Sequence, residues 1–144
     1  QRPPRDPTSG MVSLRIAPVL ALQAALIAVA ALLAFAVGLR DGIDEARELA
    51  FMTLVIAHLV AVFNFRSLQR PLKQIGLLTN RALLAAVVTA MALQFLPFYL
   101  GPLNGPFHVS PLSLGEWGLV LTFALVGFVP VELMKLARLR RERR

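Results

Sequence analysis

Few side chains in this 144-residue chain are equipped for chemistry, and the most conspicuous of them sits in unusual company. His58 lies in the middle of AFMTLVIAHLVAVFN, Ala50 to Asn64, an otherwise apolar run. A neutral imidazole there can donate from one ring nitrogen and accept, or bind a cation, with the other. Its candidate hydrogen-bond partners in other apolar runs are Gln23, Thr89, Gln94 and Thr122. Asn64 reads as a cap or a helix–helix hydrogen bond. Asp41, Asp44, Glu45 and Glu48 crowd one short stretch, which reads as a solvated helix entry. Glu132 stands three residues before Lys135, the spacing of a local ion pair on a helix. With no cysteine, disulfides and thiolate metal sites are excluded, and the redox compartment cannot be read.

The elements that carry these residues are written for lipid. The chain is 57% hydrophobic and 16% charged, too apolar for an ordinary water-soluble domain of this size. Its net charge of +7 is confined to short segments between apolar runs, so it reads as membrane topology, and no nucleic-acid partner is expected. A hydrocarbon core of roughly 30 Å needs about 20 helical residues. Four segments qualify: 16–39, 47–65, 81–100 and 114–136. The expected fold is therefore all-α, with four transmembrane helices. Residues 1–15 precede the first span, 40–46 and 101–113 are outer loops, 66–80 is a basic inner loop and 137–144 a basic tail. The first run is too long for the apolar region of a cleaved signal peptide.

Basic residues set the orientation. Thirteen of the fifteen lie before the first span, between the second and third, or at the end, leaving only Arg40 and Arg47 opposite. A multi-pass protein with both termini cytoplasmic is expected. The terminal RLRRERR, with Arg138, Arg140, Arg141, Arg143 and Arg144, is a cationic tail suited to anionic headgroups, and Trp117, at the start of the fourth span, belongs at headgroup height on the outer side.

Local punctuation agrees. Ser113 and Glu116 form a capping box for the fourth helix, and Asn80 is a candidate N-cap for the third. Pro97 and Pro130 each remove a backbone donor, so kinks are expected there. In the first helix Ala17, Ala21 and Ala25, then Ala30, Ala34 and Gly38, recur every four residues as a close-packing stripe. In the second, Ala50, Thr53, Ala57, Ala61 and Asn64 form a small face, and Met52, Ile56, Leu59 and Phe63 a bulky face that suits lipid. His58 falls at the edge of the small stripe and is expected to point toward protein. An ionised group at mid-membrane costs ~2.5 to 3.5 kcal/mol even on the mild insertion scale, so such a residue is a functional candidate.

Several stretches carry a family resemblance. EARELAFMTLVIAHLVAVFNFRSLQRPL, Glu45 to Leu72, followed by IGLLTNRALL, SPLSLGEWGLVL and PVELMKLARLRR, resembles the C-terminal part of P-type cation-transporting ATPases of the calcium-pump type. The opening RPPRDP resembles the loop before their seventh transmembrane helix, so the likeness covers nearly the whole chain and its spans correspond to helices seven to ten. The resemblance implies a role in supporting the ion-binding helices during ATP-driven cation transport. It also implies ATP and Mg²⁺ for the complete pump and none in this chain, because the DKTGT, TGES-type and PEGLP-type motifs of the family do not occur here. The implied partners are the remaining domains and helices of that pump, membrane lipids and the transported cation. The chain begins with Gln1, and RPPRDP lies upstream of Met11, so a fragment of a longer pump is expected. A start at Met11 would instead give a stand-alone four-helix scaffold or regulatory subunit, or a small exporter.

In that family the eighth helix contributes an oxygen-bearing side chain to the ion site, and counting back from FNFRS puts that position at His58. Calcium prefers six to eight oxygen ligands, so the imidazole is a departure. Three roles stay open: a spacer or hydrogen-bond partner beside an ion held by other helices, a ligand for a softer metal, or a group titrated during proton counter-transport.

Overall fold

A computed structural model describes residues 17–65, 76, 79–107 and 109–142. Among these residues there is helix and no strand: α1 (Ala17–Gly38), α2 (Ile43–Phe65), α3 (Arg81–Tyr99), α4 (Gly101–Phe107) and α5 (Leu114–Glu142). α1, α2, α3 and the Leu114–Ala137 part of α5 are long and apolar enough to cross a membrane, as the all-α four-span reading requires. The inner loop residues 66–75 and the N-terminal segment 1–15 lie outside the described residues.

The helix ends differ from the expected boundaries for local reasons. α2 starts at Ile43 instead of 47 because Asp44 and Glu45 suit the positive end of the helix dipole, and Arg47 pairs with Asp44 at 3.4 Å. Within 101–113, expected as loop, the short α4 forms. α5 continues past 136 to Glu142, since the Lys, Leu, Ala, Arg and Glu of its last turns are all strong helix formers. The capping residues behave as their types dictate. The Asn80 side chain accepts from Leu83 N at 3.0 Å, Ser113 N donates to Glu116 Oε2 at 2.5 Å, and Glu116 N donates to Ser113 Oγ at 3.3 Å.

α1 and α2 form an antiparallel pair joined by a tight turn in which Gly42 takes φ +141°, a conformation open to glycine. α5 packs along both of them, parallel to α2. The α3–α4 hairpin leans on this three-helix unit mainly through Phe98, the one α3 side chain that is fully buried. The core runs through Ile27, Ala34, Leu49, Met52, Ile56, Ala57, Ala61, Val120 and Ala124.

The small-residue stripe of α1 is half right. Ala30, Ala34 and Gly38 are buried, but Ala21 and Ala25 are exposed and Val19, Gln23 and Ile27 take the buried face instead. The packing there is met from the other side: Gly127 on α5 leaves room for Ile27, whose Cγ1 would stand 2.9 Å from a Cβ at that position. At the far end of α1, a Cβ on Gly38 would stand 2.6 Å from the Ala46 Cα, a backbone atom that cannot move aside.

Gly38→Ala should therefore destabilise the detergent-solubilised protein by about 1 to 3 kcal/mol, the usual cost of overpacking. Gly118→Ala, at a helical glycine facing open space, should be neutral or stabilising. Thermal unfolding of the two variants side by side checks this, and equal melting temperatures would contradict the close approach.

Candidate functional site

α2 carries the principal candidate, and its setting differs from expectation. Met52 and Ile56, read as lipid-facing, are buried, together with Thr53, Ala57, Ala61 and Asn64 of the small face. The reason is that α2 is the central helix, gripped by α1 and α5 on both its small and its bulky sides. The arc left open contains Phe51, Leu54, His58 and Phe65, all exposed, with His58 near its middle. At ~100° per residue these four fall within about 60° of one another. His58 thus points away from the other helices of this chain, contrary to the expectation that it faces them.

None of the four expected partners reaches the imidazole. Gln94 donates to Met52 Sδ at 3.7 Å, Thr122 to its own helix at Gly118 O, and Gln23 joins a different cluster; Thr89 is exposed on α3. Instead His58 Nδ1 lies 2.7 Å from Leu54 O, one turn back on α2. A carbonyl oxygen can only accept, so Nδ1 carries the hydrogen and a neutral ring presents its lone pair on Nε2, outward into the open arc.

A second constellation gathers where α1 begins and α2 ends. Asn64 Nδ2 donates to Gln23 Oε1 at 3.5 Å and to Phe128 O at 3.3 Å, while Gln23 Nε2 donates to Gly127 O at 3.5 Å. Lys135 Nζ donates to Asn64 O at 2.9 Å and Oδ1 at 3.4 Å, and pairs with Glu132 at 3.5 Å, the local ion pair that the spacing predicts. Gln23, Asn64 and Lys135 are at most 3% exposed. The accepting carbonyls, Gly127 O and Phe128 O, lie in the turn before Pro130 of α5. Each of those three side chains is visible in the sequence as a polar group in an apolar run. That they meet is not, because it depends on how three helices are rotated.

At the opposite end Glu48 Oε1 accepts from Ser110 N at 2.8 Å and so ties the segment before α5 to α2. Two further acids, Glu45 of α2 and Glu116 of α5, lie near each other at this end. Trp117 Nε1 donates to Tyr99 Oη at 2.7 Å, Tyr99 Oη in turn to Leu112 O at 3.4 Å, and Phe95 packs on the indole with ring centroids 4.9 Å apart. Of the basic tail, Arg140 is exposed on α5. Arg143 and Arg144, and the side chains of Arg138 and Arg141, lie outside the described residues. No group of three or more His, Asp or Glu side chains that could hold a metal ion occurs among the described residues.

A lone outward-facing imidazole in a membrane helix calls for a partner surface, and the comparisons with known proteins bear on it. Residues 1–137 match the family model described as cation transporting ATPase, C-terminus. The chain belongs to this family. It is similar to the calcium-transporting ATPase 1 of Bacillus cereus, 33% identical over 98 residues that are 68% of this chain and 11% of the relative. The calcium-transporting ATPase of Bacillus subtilis is 31% identical over 136 residues, 88% of this chain and 15% of the relative. A probable cation-transporting ATPase F of Mycobacterium tuberculosis is 30% identical over 118 residues, 81% of this chain and 13% of the relative. This cation-ATPase region thus spans 11 to 15% of the length of these relatives. It is a multi-pass membrane unit whose open arc lies on its most enclosed helix.

The aromatic relay offers a direct check on the geometry, because Trp117 is the single tryptophan of the chain. Tyr99→Phe removes the acceptor of the indole N–H and should cost about 1 kcal/mol of stability. It should also shift the tryptophan emission to shorter wavelength, and an unchanged spectrum would contradict the contact.

Proposed function

We propose that this chain serves as the C-terminal membrane module of an ATP-driven cation pump, with His58 as its contribution to the cation site. The observation that carries the reading is the outward imidazole at the middle of the open arc of α2, in a chain of the cation-transporting ATPase family. A polar group at that depth is costly against lipid, so the arc is a surface for the remaining helices of the pump and for the cation between them. The Nδ1 contact to Leu54 O supports the same role. Metal-ligating histidines commonly donate their second ring N–H to a carbonyl or carboxylate, which fixes the ring and leaves the other nitrogen free to bind.

ATP and Mg²⁺ are handled by the other domains, and this module holds the membrane geometry on which they act. Relatives named as calcium-transporting support a divalent cargo. A nitrogen ligand suits a first-row transition metal better than calcium, which favours oxygen throughout. Both termini are cytoplasmic in this reading, and Arg138, Arg140, Arg141, Arg143 and Arg144 contact anionic headgroups while Trp117 anchors the opposite interface.

The test is cation-stimulated ATPase activity of the full-length pump across Ca²⁺, Mn²⁺, K⁺ and Na⁺. His58→Ala should raise the divalent-ion concentration for half-maximal activity by about tenfold or more, the scale of losing part of a metal's coordination. His58→Gln, which replaces nitrogen by an amide oxygen, should favour Ca²⁺ over Mn²⁺ relative to the parent. If both variants keep the parental ion dependence, His58 is not a ligand.

A further inference from the structure

We infer that Lys135 is a positioning residue for the cation site: from α5 it caps the end of α2 and, through Asn64 and Gln23, sets the height and rotation at which α2 presents His58. The inference rests on the reading of His58 given under Proposed function, but its grounds are separate.

Among the described residues, the last turn of α2 up to Phe65 has no basic residue of its own. Lys135 reaches this turn from another helix, as a donor to Asn64 O at 2.9 Å and as a positive charge toward the negative end of the α2 dipole. Its amine also holds Asn64 Oδ1 at 3.4 Å, which turns the Asn64 amide so that Nδ2 faces Gln23 on α1 and Phe128 O on α5. Backbone and side chain of one residue are thereby engaged by both neighbouring helices. A rotation of α2 would break these bonds together, and a slide along its axis would pull Asn64 out of reach of a lysine whose side chain is only 4% exposed.

The arrangement is more than a hydrophobic contact needs. A buried ammonium is costly unless paired and fully hydrogen-bonded, and here Glu132 and the two Asn64 oxygens supply the partners. Ile, Leu or Met at 135 would pack the same space without that cost, but a methylene has no direction. The lysine specifies one setting of α2, six residues from His58.

The experiment uses the full-length pump with Lys135→Met, Lys135→Arg and Gln23→Met. Lys135→Met should raise the cation concentration for half-maximal ATPase activity by about tenfold, as loss of a supporting contact behind a metal ligand does. The maximal rate at saturating cation should stay within twofold, and hydrogen exchange should speed up in the last turn of α2. Lys135→Arg, which keeps charge and donors, should recover most of the affinity. Gln23→Met leaves the charge in place and should give a smaller rise, so the inference stays open to refutation if Lys135→Met fails to accumulate. The inference is overturned if the variant that accumulates keeps parental cation dependence, or if affinity and maximal rate fall together, as general loss of structure would produce. A parental pump with no cation-dependent activity would sink the reading of His58 itself, which is a different result from a cation-dependent parent and an indifferent Lys135→Met.

Discussion

The enclosure of α2 between α1 and α5 is the constraint on which the rest depends. Lipid tails are as apolar as leucine, so helices in a bilayer gain little from merely hiding hydrophobic side chains and must instead fit closely or exchange hydrogen bonds. Both devices converge on the three-helix unit. Gly38 lets α1 approach the backbone of Ala46, Gly127 makes room for Ile27, and Gln23, Asn64 and Lys135 tie the three helices by hydrogen bonds. With two sides of α2 taken up in this way, one arc is left, and His58 lies on it.

Much of the architecture was legible because lipid imposes a coarse rule. A span needs about 20 apolar residues, and four such runs separated by charged or Pro- and Gly-rich segments admit few alternatives. Caps were legible for a similar reason: Asn80 and the Ser113–Glu116 box satisfy orphan amides by chemistry local to a few residues. The direction of each helix face was not. In water, bulky apolar side chains identify the buried side, but in lipid either side can be apolar. Met52 and Ile56 therefore looked like a lipid face although α2 buries them, and Ala21 and Ala25 looked like a packing stripe although α1 exposes them. Asn64 was readable as a helix–helix bond, yet its donors and acceptors come from residues 41, 64 and 71 positions away, which no local pattern encodes.

The two anchors of α2 differ in chemistry. Near its start Glu48 accepts from a backbone amide at Ser110, and at its end Asn64 is held by Lys135 and Gln23. The hairpin of α3 and α4, by contrast, fully buries only Phe98 of α3 and meets the unit through that ring, the Gln94–Met52 contact and the packing of Phe95 and Tyr99 on Trp117. A division of labour follows from this asymmetry. The three-helix unit fixes geometry, while α3 is shaped by whatever lipid or protein surrounds it.

His58 lies between the anchors, ten residues after Glu48 and six before Asn64. Its hydrogen bond to Leu54 O lies within the same helix and moves with it, so that bond orients the ring but cannot locate it in the membrane. Location comes from the ends. Chemistry and position are thus separable along α2: a change at residue 58 alters which atom faces the open arc, whereas a change at Lys135 or Glu48 alters where that atom stands. An imidazole could be exchanged for an amide here with little disturbance to the bundle, because the side chain is exposed and its hydrogen bond stays within α2. The same freedom does not extend to Asn64, whose side-chain oxygen and nitrogen are both engaged with other helices.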